Sequence, residues 1–305
     1  MKARLTDFAA CALALGAVAG CAAEDQRQKD PPMDNATAAI AVRTVTSKDG
    51  TRIAFDKQGS GPPLIIVNGA LADRAASEGY ARLLVPHFTV YSFDRRGRGD
   101  SGDTKPYAVA REIEDIEALI DEAGGLANVV GFSSGAALSL EAAAALGGKV
   151  RKLAIYEAPY DEAEGAAEKW HAYRSEQAEL LAAGKQGEAV LHHLNYVGVP
   201  QPAIDQMKAS PAWAGMERLA PTLLYDVAVL GDDRKVPVER AARVQAEALV
   251  MDGGANVQAM PFMRATADRI AGAIPKARRR TIEGQGHNAS PEALASVLVE
   301  FFKGE

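Results

Sequence analysis

Gly131-Phe132-Ser133-Ser134-Gly135 constrains this chain more than any other segment. It follows Asn128-Val129-Val130, a run suited to a buried strand, and precedes Ala136 to Leu146, an alanine-rich stretch suited to a helix. A strand that turns into a helix within one residue needs a very sharp bend, and the residue at the bend takes a strained backbone conformation. Side chains two positions to either side would collide with the adjoining strand and helix, so glycine stands at both. The bend lifts the Ser133 hydroxyl clear of the sheet, at the positive end of the following helix dipole. Ser134 is misplaced for attack, but its N–H is suited to stabilising an oxyanion. Glycine and serine are common in loops; the strand–turn–helix setting is what gives the pattern its weight.

The remainder of the chain alternates between short apolar runs and helical periods. Ala41 to Ser47 and Thr51 to Lys57 flank Asp49-Gly50, a hairpin signal. Leu64 to Val67, opened by Pro62-Pro63, suits a buried parallel strand. Further strands are expected at Phe88 to Phe93, Ala127 to Phe132, Leu153 to Tyr156, Ala248 to Met251 and Arg279 to Ile282. Helices are expected over Ala72 to Leu84, Ala108 to Glu122, Ser134 to Leu146, Pro261 to Ile274 and Pro291 to Phe302. A hairpin followed by repeated strand–helix units predicts an α/β fold: a mostly parallel eight-stranded sheet flanked by helices. One stretch, about 161–243, is helix-prone without a convincing strand and is broken by Gly184, Pro200, Pro202, Pro211 and Pro237. It reads as a helical cap inserted between two late strands.

The N-terminus differs from the rest. Lys2 and Arg4 precede an apolar run from Phe8 to Gly20 that is too short to span a bilayer and suits a signal peptide over residues 1–20. The run ends in Val18-Ala19-Gly20-Cys21, which resembles the bacterial lipobox and makes Cys21 the expected site of acylation. Residues 21–39 read as a flexible tether and 40–305 as the folded domain. Cys11 and Cys21 are the only cysteines, so a chain cleaved before Cys21 has no internal disulfide, no paired-cysteine metal site and no cysteine nucleophile. Cleavage removes two positive charges and one negative, taking the net charge from -6 to -7. Such a chain is expected in the cell envelope, touching the membrane only through its lipid. The acidic balance gives no reason to expect nucleic acid, and the basic run Lys276 to Arg280 reads as a solvated edge.

Three further segments carry a resemblance. Asn68-Gly69-Ala70 follows the third strand, Asp94-Arg95-Arg96-Gly97-Arg98-Gly99-Asp100-Ser101 follows the next, and Gly284-Gln285-Gly286-His287 lies near the end. With the serine pentapeptide, these resemble the His-Gly, D-x-R-G-x-G-x-S and G-x-G-H segments of the α/β-hydrolase fold family, over about residue 40 to the C-terminus. The resemblance implies a Ser133 nucleophile and a His287 base, with an oxyanion hole from the N–H groups of Ser134 and Ala70. Asn68 departs from the family's histidine, a change expected to affect loop packing more than backbone donors.

The acid is less direct. The family's usual acid position holds Asn256, whose amide carries no charge to stabilise an imidazolium. Glu157, closing the strand after the nucleophile helix, where haloalkane dehalogenases and some other members place their acid, is preferred; Asp252 is the alternative. Of the other histidines, His87 reads as structural, while His171, His192 and His193 read as solvated cap positions without ligand spacing for a metal. Gly97-x-Gly99-x-x-Gly102 imitates a dinucleotide fingerprint, but Pro106 interrupts the helix that would bind the pyrophosphate. Neither cofactor nor metal is expected.

These residues suit acyl transfer to water, with a small-molecule acyl substrate and the cap aromatics Trp170, Tyr173, Tyr196, Trp213 and Tyr225 over the pocket. A serine at the bend argues against dehalogenase or epoxide hydrolase chemistry, which uses aspartate there. Two alternatives stay open: a ligand-binding or receptor protein on the same fold, and a cofactor-free lyase or haloperoxidase-like enzyme.

Overall fold

The structure is a computed structural model that describes residues 42–257 and 260–304. The expected signal peptide, Cys21 and the tether lie outside the described residues. No helix among the described residues is long and apolar enough to cross a membrane.

Eight strands form one sheet: β1 (Arg43–Thr46), β2 (Arg52–Gln58), β3 (Pro63–Val67), β4 (Thr89–Phe93), β5 (Ala127–Phe132), β6 (Val150–Tyr156), β7 (Glu247–Gly253) and β8 (Ala277–Ile282). Their order across the sheet is β1-β2-β4-β3-β5-β6-β7-β8. The β1–β2 hairpin and the β2–β4 pair are antiparallel, and every other pair is parallel. The eight-stranded, mostly parallel sheet expected from the sequence is therefore the one observed.

Alternation along the central strands explains their sequences. Ile65, Val67, Val129, Leu153, Ile155 and Val250 face one core, with helices α2 (Val109–Glu122), α3 (Ser134–Leu146) and α10 (Phe262–Ala273). Leu64, Ile66, Val130, Ala154, Tyr156 and Met251 face the other, with α1 (Glu78–Leu84) and α11 (Pro291–Lys303). Strands covered on both faces have no polar side, hence the apolar run Leu64 to Val67 in β3 and the pair Val129-Val130 in β5, where Asn128 is a buried polar exception. At the β8 edge, Arg278 and Arg280 point to solvent, as a charged edge strand should.

Helix α3 lies directly behind the Ser133 bend, and every side chain from Ser134 to Ala143 is buried. That accounts for its alanine content: small side chains let the helix approach β5 and β6 closely. The expected helix from Ala72 starts later. Asp73 caps a short 3-10 turn, Arg74–Ser77, accepting from the Ala75 N–H at 3.0 Å, and α1 follows. The capping aspartate sets the boundary, because its carboxylate satisfies a donor that a longer helix would have used internally.

Between β6 and β7 the chain forms α4 (Ala166–Ala182), α5 (Gln186–Tyr196), α6 (Gln201–Ala209), α7 (Ala212–Leu219), α8 (Leu223–Leu230) and α9 (Val238–Ala241). Part of this segment has its own core of Ala189, Val190, Leu194, Ile204, Ala220 and Leu223, against which Ala70 and Leu71 also pack. The loop after β3 is thereby covered by cap helices.

Because α3 is buried on all sides from Ser134 to Ala143, shortening one of these side chains leaves a cavity that its neighbours cannot close. Leu138→Ala is expected to lower stability by about 2–5 kcal/mol. Urea unfolding checks this as an earlier midpoint with an unchanged slope.

Candidate active site

Ser133 joins β5 to α3 with φ 54° and ψ −126°, a left-handed conformation that carries a cost of about 1–3 kcal/mol. The flanking glycines are required by contact. A Cβ on Gly131 would overlap the Ser139 hydroxyl and the Gly135 carbonyl and lie 2.7 Å from Ala136 Cα. One on Gly135 would overlap the Val67 carbonyl and lie 2.7 Å from the Asn68 carbonyl carbon. The bend is pinned by the Ser133 N–H, which donates to the Tyr156 carbonyl on β6 at 3.0 Å.

His287 arrives from the other end of the chain, on the loop between β8 and α11. The Tyr156 hydroxyl donates to the Gly286 carbonyl at 2.5 Å, and the Ala255 N–H donates to the Gln285 carbonyl at 2.8 Å. Between them these bonds orient the loop. The imidazole Nε2 then lies 3.1 Å from Ser133 Oγ, and Nδ1 lies 2.7 Å from Glu157 Oε2. A carboxylate at Nδ1 holds the ring proton there, which leaves Nε2 to accept from the serine hydroxyl.

Glu157 is the residue immediately beyond β6, adjacent to Ser133 because Phe132 and Tyr156 pair in register on neighbouring strands. It also has a left-handed backbone, with φ 51°. The carboxylate is buried, and its other oxygen accepts from the Gly253 N–H at 2.7 Å. Asp252, the alternative acid, is committed elsewhere: it accepts from the Thr281 hydroxyl at 2.7 Å and pairs with Arg279 at 2.8 Å. Burial would raise its pKa, but these partners together hold it below the ordinary aspartate value. Asn256 lies in the 3-10 turn Gly254–Val257, and its side chain is outside the described residues.

The expected oxyanion loop sits against the bend. A Cβ on Gly69 would come within 3.0 Å of Ser133 Cβ and 3.1 Å of the Phe132 carbonyl. Ser134 opens α3, so its N–H has no acceptor within the helix. Asn68 serves the loop itself, its amide donating to the Asp73 carbonyl at 2.8 Å.

Residues 64–297 match the model of the alpha/beta hydrolase family. The chain belongs to that family. An alpha/beta hydrolase from Sphaerobacter thermophilus DSM 20745 is 49% identical, with a TM-score of 0.79 over 85% of this chain and 100% of that one. A thermophilic esterase from Thermogutta terrifontis is 19% identical, with a TM-score of 0.68 over 87% of this chain and 98% of that one. An enol-lactonase from Burkholderia xenovorans LB400 is 20% identical, with a TM-score of 0.63 over 86% of this chain and 100% of that one. The last two share the fold.

Within this family member the Asp94 to Ser101 loop is an ionic anchor. Arg95, Arg96 and Arg98 are all fully buried. Arg96 pairs through two bonds with Asp115 on α2, at 2.7 and 2.8 Å, and with Asp49 in the first hairpin at 2.8 Å. Arg95 takes Glu112 through two bonds of 2.7 Å and reaches Asp226 on α8 at 2.6 Å. Arg98 also binds Asp226, at 2.9 and 3.0 Å. No helix follows this loop until Val109, so its glycines do not face a helix N-terminus.

Sequence reasoning missed Asp226. The available signal was a lone carboxylate within the apolar run Leu223-Leu224-Tyr225-Asp226-Val227, since a charge there requires a partner.

The cap histidines correct one expectation. His193 is half-buried rather than solvated: its Nδ1 shares a 2.8 Å hydrogen bond with the Tyr173 hydroxyl, and desolvation pushes its pKa down to about 4. The ring of His192 stacks on Tyr173, which itself stacks on Trp170 and Tyr196. These contacts pack α4 against α5. Among the described residues, no group of three or more His, Cys, Asp and Glu side chains is arranged to hold a metal ion.

The two carboxylates are separable by substitution. Glu157→Gln is expected to slow modification of Ser133 by a fluorophosphonate by about 10⁴-fold, whereas Asp252→Asn lowers the melting temperature and changes that rate little. Parallel labelling time courses and thermal scans check this; the reverse pattern assigns the role to Asp252.

Proposed function

We propose that this protein is a serine hydrolase acting on a carboxylic ester or a related acyl compound through an acyl-enzyme intermediate. The observation that carries the reading is the hydrogen-bonded line Ser133–His287–Glu157, with links of 3.1 and 2.7 Å. In this reading His287 Nε2 takes the hydroxyl proton as Ser133 Oγ attacks the acyl carbon. The N–H groups of Ser134 and Ala70 receive the negative charge that develops on the acyl oxygen. Collapse expels the alcohol, which leaves with the proton from His287, and the acyl group stays on Ser133. Water then repeats the sequence with His287 again as base, releasing the acid and the free serine. Glu157 holds the ring in the required tautomer and stabilises the imidazolium in both halves.

The named activities of the esterase and the enol-lactonase that share the fold support acyl chemistry over other uses of the scaffold. A ligand-binding protein on the same fold would be favoured by Asn256 at the family's usual acid position and Asn68 in place of its histidine. A buried carboxylate bonded to His287 and a structural bond for Asn68 weigh against it.

A fluorophosphonate probe should label the folded chain once, at Ser133. Ser133→Ala should abolish labelling and lower kcat on p-nitrophenyl acetate by about 10⁶-fold. A folded protein that neither labels nor hydrolyses the ester returns the chain to the binding reading.

A further inference from the structure

The peptide joining Gly69 to Ala70 is clamped from behind. Arg98 Nη1 donates to the Gly69 carbonyl, and to the Ala72 carbonyl at 3.2 Å. Arg95 Nη1 donates to the carbonyl one residue earlier, on Asn68, at 3.4 Å. In a trans peptide the carbonyl and the following N–H point in opposite directions, so holding the Gly69 oxygen aims the Ala70 N–H the other way. Gly69 itself abuts Ser133.

Both guanidiniums are in turn held by one cap residue. Asp226 Oδ1 takes Arg95 at 2.6 Å and Arg98 at 3.0 Å, and also accepts from the Ser134 hydroxyl at 2.7 Å. Burial would raise the Asp226 pKa, but Arg98 and Arg95 outweigh it and keep the carboxylate ionised. The two residues expected to supply oxyanion donors, Ala70 and Ser134, are thus tied to a single buried carboxylate. The arginine that the family's D-x-R-G-x-G-x-S pattern requires is Arg96, which points elsewhere, to Asp115 and Asp49. Arg95 and Arg98 stand where that pattern leaves the residue open.

We propose that Arg98, held in place by Asp226, is a positioning residue for the oxyanion hole, setting the direction of the Ala70 N–H. A guanidinium on the carbonyl side also polarises the peptide and strengthens its N–H as a donor. The inference rests on the reading of Ser133 as nucleophile.

The test compares the full wild-type chain with Arg98→Gln, Arg98→Lys and Asp226→Asn. Three quantities are measured: kcat and KM on p-nitrophenyl acetate, Ki for an aryl trifluoromethyl ketone (which binds serine as a tetrahedral adduct), and the melting temperature. Arg98→Gln should lose about 100-fold in kcat with KM nearly unchanged, and weaken the ketone in proportion. Arg98→Lys should recover part of both, and Asp226→Asn should show the same pattern at about tenfold. A loss of kcat without a matching change in Ki, or near-wild-type kcat in the folded variants, overturns the proposal. Where Arg98→Gln does not fold, Arg98→Lys and Asp226→Asn decide on the same two readings. Failure of the wild type itself to label with a fluorophosphonate sinks the hydrolase reading instead, and is distinct from either result.

Discussion

The close approach of β3, β5 and α3 around one strained residue is the constraint on which the rest of the structure depends. Ser133 keeps its left-handed conformation because Gly131 and Gly135 allow a helix and two strands to meet without a Cβ between them. The cost is offset by a core that buries Leu64 to Val67 of β3, Ala127 to Gly131 of β5 and Ser134 to Ala143 of α3. From that point the sheet carries the remaining groups to one place. Glu157 lies past the end of the neighbouring strand, Gly253 ends the strand after that, and His287 follows the last strand.

Buried charge is the second organising term. Arg95, Arg96 and Arg98 would be very costly in an apolar interior without partners, and each has at least one carboxylate in direct contact. Such a network gives little net stability compared with apolar packing, but it fixes geometry, because a displaced partner would leave a charge unpaired. Here it joins the loop after β3 and the cap helix α8 to the Ser133–Ser134 bend. Asp252 shows the same logic in a different role: its carboxylate joins β7 to Arg279 and Thr281 on β8, and is thereby unavailable to His287.

Most of the architecture was legible in the sequence because strands buried on both faces and helices buried on one leave different periods. The Ser134 to Leu146 helix was expected with the bounds it has, since the bend sets its start and Gly147 its end. The start of α1 was misjudged because a capping aspartate within a continuous helical pattern looks like any surface residue. Strand position favours Glu157 over Asp252 in the sequence without excluding the latter: both stand at the ends of neighbouring parallel strands, and the direction of each carboxylate is what distinguishes them. The Asp226 cluster was hidden for a different reason. Its partners lie about 130 residues away, at separations of 128 and 131, and no local pattern joins such groups. His193 looked solvated because helical spacing shows which residues share a face, not what that face packs against.

The central claim is a covalent bond between Ser133 Oγ and the acyl group of a substrate. Rapid mixing of the full chain with p-nitrophenyl acetate, acid quenching within the first turnover and peptide mass mapping tests it directly. The account predicts an acetyl group on the peptide containing Ser133, gained in step with the first equivalent of p-nitrophenol. Steady release of p-nitrophenol with Ser133 unmodified, or with the acetyl group on another residue, would contradict it.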